Sequence, residues 1–249
     1  MSPPTKLEFA VQMTCQGCVE VVHKSLKDVQ GITSIEVILD AEKVIVETTL
    51  PSETIKSLLE KTGKRAVLQG MGSSKVPSHL GAAVSILDTG SEMIKGVIRF
   101  VQSDEKSCVI EGTVDGLPSG NHTLCIHELG DISQGCKSCG DIFGEGLTEK
   151  VKGILRELKV GTDGRAIFRF EENQLKVSDM IGRSTVIHCG TVNPSKSAGT
   201  DQDKRLVCGI IARSAGLFEN PKKICACDGV TIWEERDKPL AGGNRSNLS

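Results

Sequence analysis

The sequence predicts two folded units of different class, joined by a linker and followed by a mostly irregular tail. Three observations lead there. Residues 6–69 switch between strand-period and helix-period apolar patterns in the order βαββαβ. The stretch GMGSSKVPSHLG after it is rich in Gly, Ser and Pro and reads as a linker. From there short β-type runs follow one another between Gly, Asp and Asn, the pattern of an antiparallel sandwich or barrel. The expected division is 1–70, a linker at 71–81, a second domain at 82–212 and a tail at 213–249.

Each element of the first unit has its own signal. Leu7, Phe9 and Val11 in LEFAVQM share one face of a half-buried strand. Val19, Val22, Leu26 and Val29 follow helical spacing, and Gly31 supplies a stop. SIEVILD and KVIVETT flank a short turn at residues 40–42 and read as a hairpin. PSETIKSLLEKTG opens on Pro51 and Ser52, puts Ile55, Leu58 and Leu59 on one helical face and stops at Gly63. RAVLQ is the last strand, which completes a ferredoxin-like order. In the second unit the strand candidates are AAVSIL, IKGVIRFVQ, SCVIEGTVDGL, HTLCIHEL, RAIFRF and STVIHCG. Residues 144–159, GEGLTEKVKGILRELK, break that texture and read as a helix or a remodelled loop. The tail beyond Ile211 loses the β pattern and is expected to be mobile.

Composition narrows the function classes. A hydrophobic content of 38% supports a packed core. The formal net charge of −2 argues against broad nucleic-acid or anionic-membrane binding. One Trp and no Tyr leave no stacking platform for bases. No stretch approaches the roughly 20 apolar residues of a membrane span, and the first residues lack a signal-peptide core. The expected location is therefore cytoplasmic, where ten cysteines are read as thiols, metal ligands or redox groups before disulfides.

Two cysteine pairs stand out. Cys15 and Cys18 in MTCQGC fall where a strand passes into a helix. The helix N-terminus favours the thiolate, and two soft thiolates in an exposed loop suit Cu(I), which tolerates few ligands. Zinc usually takes four ligands, and no partner pair lies nearby in this unit. A thioredoxin-like redox pair and an inert pair are the rival readings. MTCQGC in a βαββαβ unit resembles the heavy-metal-associated domain of Atx-type copper chaperones, in which Met13 would pack beneath the loop. The second pair, Cys225 and Cys227 in ICACDG, lies in the tail. A disulfide between cysteines only two residues apart closes a very small ring, so it is expected to be strained and oxidising.

NHTLCIHELGD, GCKSCGDIF, DGRAIF, IGRSTVIH and RLVCGIIA, in that order, resemble Cu,Zn superoxide dismutase, an eight-stranded Greek-key barrel. Carried over residue by residue, the resemblance implies a depleted metal centre. Cys125 and His127 stand where that enzyme has His-x-His, Ile142 replaces the bridging histidine, and His188 matches the last copper histidine. Residues 144–159 hold no His, so the zinc site is predicted absent; Glu157 lies near the place of its Asp. Arg205 matches the anion-guiding arginine. Cys125, His127 and His188 remain a candidate soft three-ligand set, with leftover core or surface residues as the alternative. The resemblance also pairs Cys136 with Cys208 in an internal disulfide, which would stabilise by roughly 4–5 kcal/mol in the chain-entropy model. Cys139 forms a second CxxC with Cys136 and competes for it, and Cys108 and Cys189 read as ordinary thiols. Residues 130–133 and 213–218 lie near segments that build the enzyme's dimer face.

The three parts in this order resemble the copper chaperones for superoxide dismutase over nearly the whole chain. That resemblance implies Cu(I) capture by Cys15 and Cys18, and a transient heterodimer with Cu,Zn superoxide dismutase through the barrel. It also implies copper transfer and thiol exchange by Cys225 and Cys227 that install the target's disulfide. An upstream copper donor is implied too, and a homodimer of the free chain stays open. The rivals are a metal-buffering or sensing protein that transfers nothing, and a weakly active superoxide dismutase.

Overall fold

The structure is a computed structural model that describes residues 2–74, 81–144, 151–192, 204–220 and 231–237. The first unit runs β1 (Thr5–Val11), α1 (Gln16–Leu26), β2 (Ile32–Ile38), β3 (Lys43–Thr48), α2 (Ser52–Glu60) and β4 (Ala66–Ser73). Its strands pair antiparallel in the order β2-β3-β1-β4, as the ferredoxin-like reading predicts. Leu7, Phe9 and Val11 of the central strand are fully buried. Helix α1 turns Cys18, Val22 and Leu26, four residues apart, onto the sheet, and α2 adds Ile55 and Leu59. Gly31, at φ 97°, makes the turn out of α1 that a side chain would resist.

The second unit contains β5 (Ala82–Leu87), β6 (Lys95–Gln102), β7 (Cys108–Asp115), β8 (Gly120–His127), β9 (Ser133–Cys136), β10 (Ile154–Val160) and β11 (Ala166–Glu172). A short helix α3 (Val177–Met180), β12 (Ser184–Cys189) and β13 (Arg205–Arg213) follow. Eight of these strands form one sheet in the order β10-β8-β12-β13-β5-β6-β7-β11. Its two edges, β10 and β11, also touch, so the sheet curls into a nearly closed barrel. Ile98, Phe100, Ile110, Leu124, Ile126 and Phe168 fill the inside.

The two units share a seam. Ala82, Val101 and Val109 on the outer face of the barrel belong to the same apolar cluster as Leu7, Phe9 and Met71. Strand β7 is therefore buried along its whole length, with the barrel interior on one side and the first unit on the other. Charge crosses the same seam. Arg99, Glu111 and Arg169 stand directly opposite one another on β6, β7 and β11. Glu111 Oε2 accepts from Arg169 Nη1 at 2.9 Å, with the two side chains 2% and 3% exposed. Arg169 Nη2 also donates to Pro3 O at 2.9 Å and Thr5 Oγ1 at 3.1 Å, and the N–H of Ser52, opening α2, points at both Glu111 oxygens at 3.3 Å.

Three segments depart from the sequence reading. β4 continues through Gly70, Met71 and Gly72 to Ser73, where a linker was expected. Those glycines are contact residues: a Cβ on Gly70 would lie 2.5 Å from Gly216 O, and one on Gly72 2.8 Å from Leu217 Cδ1. The helix considered at 144–159 does not form among the described residues, and β10 occupies Ile154–Val160 instead. ILRELKV carries apolar residues at both helical and alternating spacing, and pairing with the edge of β8 selects the strand. The described parts of the tail are ordered against the first unit. Phe218 N donates to Glu8 Oε2 at 2.6 Å, and α4 (Ile232–Asp237) is a further helix. Residues 216–218, expected near a dimer face of the barrel, are thus turned over β1 and β4.

Candidate metal centre

Cys15 ends the loop after β1 in extended conformation at the N-cap position of α1, and Cys18 lies on its first turn. Their sulfurs stand 3.4 Å apart. Cys15 is exposed, whereas Cys18 is only 6% exposed, in the cluster that also buries Met13 beneath the loop. The Cys18 thiol is lowered to about 6, chiefly by a hydrogen bond to the Thr14 backbone and then by the side chains of Lys64, Cys15 and Thr14, against an opposing push from burial. Cys18 is therefore a thiolate at neutral pH, the form that binds a soft metal ion. Lys64 reaches it from the loop between α2 and β4, which Gln12 N ties to the metal loop through Arg65 O at 3.0 Å. One exposed and one shielded sulfur, converging on one side, fit a low-coordinate soft cation that enters from solvent.

The barrel's candidates divide into three places. His127 and His188, both buried, are brought together with Nε2···Nε2 at 2.9 Å and nearly parallel rings. His127 Nδ1 lies 2.9 Å from Gly140 O, which can only accept, so Nδ1 carries the proton. His127 Nε2 is then the acceptor, and His188 Nε2 donates to it. A single shared proton occupies the space between these nitrogens. Cys125, two residues before His127 on the same face of β8, packs in an apolar cluster with Ile142, Val151 and Val192. Among the described residues no group of three or more His, Cys, Asp or Glu is arranged to hold a metal ion. The structure thus joins His127 and His188, and with Cys125 they do not make up a three-ligand group. Arg205 is engaged with the loop beneath, donating to Cys136 O and Gly140 O at 2.9 Å each.

Burial lowers His127 to about 3, with Arg205 and His188 adding to the effect against the Gly140 carbonyl. The unfolded chain takes up a proton here as pH drops below 6.5, whereas the folded chain refuses it until about pH 3. Stability is therefore lost as pH falls through that window. The share of this residue should be about 2 kcal/mol between pH 7 and pH 5. Urea unfolding of the native chain and of His127→Gln at both pH values measures it; the variant should lose less stability on acidification.

Cys136, Cys139 and Cys208 meet in one buried cluster with Val186, as free thiols in this structure. Cys208 is pushed up by hydrogen bonds with Cys136 and then Cys139. Cys139 is lowered to about 7 by Cys208, then Ser184 and Arg205, against burial. The CKSC spacing made Cys139 visible in the sequence, but only the fold shows that it reaches Cys208. Cys108 is a core thiol, raised to about 12 by burial and by Glu172 and Glu171, and Cys189 is exposed. Cys225 and Cys227 lie outside the described residues, as does the central part of the zinc-loop region, residues 145–150.

Residues 8–65 match the heavy-metal-associated domain and residues 94–211 match copper/zinc superoxide dismutase. The copper chaperone for superoxide dismutase of Mus musculus is 51% identical over 255 residues, covering 97% of this chain and 92% of its own length. The chain belongs to the family of copper chaperones for superoxide dismutase. The Homo sapiens member is 50% identical over 253 residues, with 96% and 92% coverage. The Saccharomyces cerevisiae relative, named superoxide dismutase 1 copper chaperone, is 33% identical over 243 residues, with 94% of each chain covered. Family membership accounts for a dismutase-like barrel and a copper-binding first domain in one chain. Among the described residues no helix is long and apolar enough to cross a membrane.

Proposed function

We propose that the protein binds Cu(I) between Cys15 and Cys18, delivers it to Cu,Zn superoxide dismutase in a transient heterodimer, and promotes the target's internal disulfide. The observation that carries this reading is the paired sulfur site at the start of α1, with Cys18 ionised at neutral pH. Copper is cargo here. Transfer is a ligand exchange in which an incoming thiolate joins the ion before an outgoing one leaves, so no electron moves and the ion stays bound throughout. The chain's thiolates and a reducing cytoplasm both suit the Cu(I) state.

The barrel supplies recognition. Ile86 and Ile210, on neighbouring strands, are 43% and 40% exposed, and Leu129 is 51% exposed before the 130–133 loop. Ile86 and Ile210, side by side, offer an apolar patch that a dismutase subunit of the same fold can cover. Dismutation is not assigned to the barrel, because copper between His127 and His188 must first displace their shared proton and widen a 2.9 Å gap. The Cys136–Cys208 disulfide belongs to the same reading, supported by the proximity of their thiols.

Cys225 and Cys227 are assigned thiol exchange. A disulfide between them passes to two target thiols: the target is oxidised to a disulfide, and the CxC pair is reduced to two thiols. An external two-electron oxidant such as dioxygen must reoxidise the pair before another round. Reconstitution tests the reading. Cu(I)-loaded protein is mixed with zinc-bound, disulfide-reduced superoxide dismutase under limiting copper. Gain of target activity and disulfide is expected, and the double change Cys225→Ser and Cys227→Ser should remove it. A native chain that raises neither quantity sinks delivery, and full activation by the double variant removes the CxC pair from it.

A further inference from the structure

The described end of the chain folds back onto the first domain, beside the thiol pair. TIWE at residues 231–234 is a capping box that starts α4: Glu234 N donates to Thr231 Oγ1 at 3.2 Å, and Thr231 N to Glu234 Oε2 at 2.7 Å. The helix then meets two side chains of the first domain. Arg65 donates to Trp233 O at 3.3 Å, pairs with Asp237 and places its guanidinium 5.7 Å from the Trp233 ring centre. Arg236 Nε pairs with Glu60 Oε1 at 3.0 Å, and Arg236 Nη1 with Asp237 Oδ1 at 2.8 Å. Ile232 is buried under the turn, at 9% exposure. Arg65 follows Lys64, the residue that bonds Cys18, so the helix and the metal site use one loop.

We propose that the face carrying Glu60 and Arg65 is a docking surface for the chain's own helix α4, a latch that restrains the tail on the first domain until a target engages it. The inference rests on the delivery reading for the purpose of that release. Its geometry is independent of that reading. Upstream, the chain is held at Phe218 by the carboxylate of Glu8, whose side chain is 1% exposed and also pairs with Lys43 at 2.5 Å. With α4 docked as well, both ends of residues 219–231 are fixed to one domain.

The two anchors differ in kind. Glu8 is buried, and losing its partners strands a charge. At α4, Arg65 and Asp237 are 36% and 46% exposed, and such pairs are individually weak and sensitive to salt. A six-residue helix held by partly exposed ion pairs, one aromatic contact and a single buried apolar residue, Ile232, is the weaker of the two anchors.

Trp233 is the chain's one tryptophan, so its fluorescence reports α4 alone. In the full-length, metal-free, reduced chain, Arg65→Glu should shift its emission to the red and raise its quenching by acrylamide. Restoring the pair as Arg65→Glu with Asp237→Arg should reverse both changes. Glu60→Arg, with and without Arg236→Glu, repeats the test through the other ion pair should the first variant fold poorly. Quenching in the native chain equal to that in Arg65→Glu and Glu60→Arg overturns docking. Copper delivery is read beside it. Arg65→Glu should activate the dismutase faster than the native chain does, and slower activation overturns the restraining role. If native and variant chains all leave the dismutase inactive while Trp233 still responds, delivery fails and the docking surface stands.

Discussion

Changing both Cys15 and Cys18 to Ser is expected to abolish tight Cu(I) binding by the first domain. Two hydroxyls replace two thiolates, and a soft ion loses every donor the loop offers it. Competition against a Cu(I) chelator of known affinity should show the domain's share of bound copper disappear. Retention of one tightly bound ion attributable to residues 1–74 would contradict the assignment. Either single change leaves one thiolate and should weaken binding by at least an order of magnitude, since one donor no longer closes the site. The fold should survive, because the apolar stripe of α1 below Cys18 is carried by Val22 and Leu26. The pH profile adds a second check. Cys18 gives up its proton at about 6, so above that pH the metal displaces no proton from it. Below it, protons compete, and the Cys18 share of the affinity should fall about tenfold per pH unit. Changing Lys64 to Met removes one of the groups that stabilise the thiolate and should move the break upward.

The second large effect belongs to Arg169. Changing it to Leu leaves the Glu111 carboxylate, 2% exposed, facing only the N–H of Ser52 and the charge of Arg99. Removing one partner of a buried ion pair costs about 3–5 kcal/mol. The change also frees Pro3 O and Thr5 Oγ1, which tie the start of β1 to the barrel. Guanidinium unfolding followed by circular dichroism should therefore show lower stability, and one transition should broaden into two as the domains uncouple. A loss under about 1 kcal/mol would mean that the pair contributes little beyond its own desolvation. Replacing Glu111 and Arg169 together by Leu and Met should recover part of the loss. It should not recover all, because Arg99 also draws on Glu111.

Much of the fold is legible because the two periods of apolar residues are clean. Val22 and Leu26 of the helix stripe and the barrel runs from AAVSIL to STVIHCG needed no partner to be recognised, whereas Cys18 fills the place on the sheet that the spacing gave to Val19. The misreadings occur where a residue's reason lies far along the chain. Gly70 and Gly72 look like linker glycines, yet they leave room for Gly216 and Leu217. Residues 154–160 satisfy both periods, and only the neighbouring strand chooses between them. The thiol pair was legible because its chemistry is local to six residues. Cys125 was not, because its spacing to His127 says nothing about the apolar side chains that surround it. Glu8, Glu60 and Arg65 carry no sequence signal as tail anchors, since a charged residue on a small domain reads as surface. Helix α4 went unread in a tail taken as mostly irregular, because its start depends on the Thr231–Glu234 capping box and its place on contacts to Arg65 and Glu60.

The seam that makes Ala82, Val101 and Val109 part of the first domain's core also decides how the molecule moves. A copper-carrying domain on a loose tether could search for its acceptor by swinging. This one shares core and a buried ion pair with the barrel, so the orientation in which the barrel meets another protein bears on the heading of the Cys15–Cys18 loop. Aiming is then a property of the shared seam.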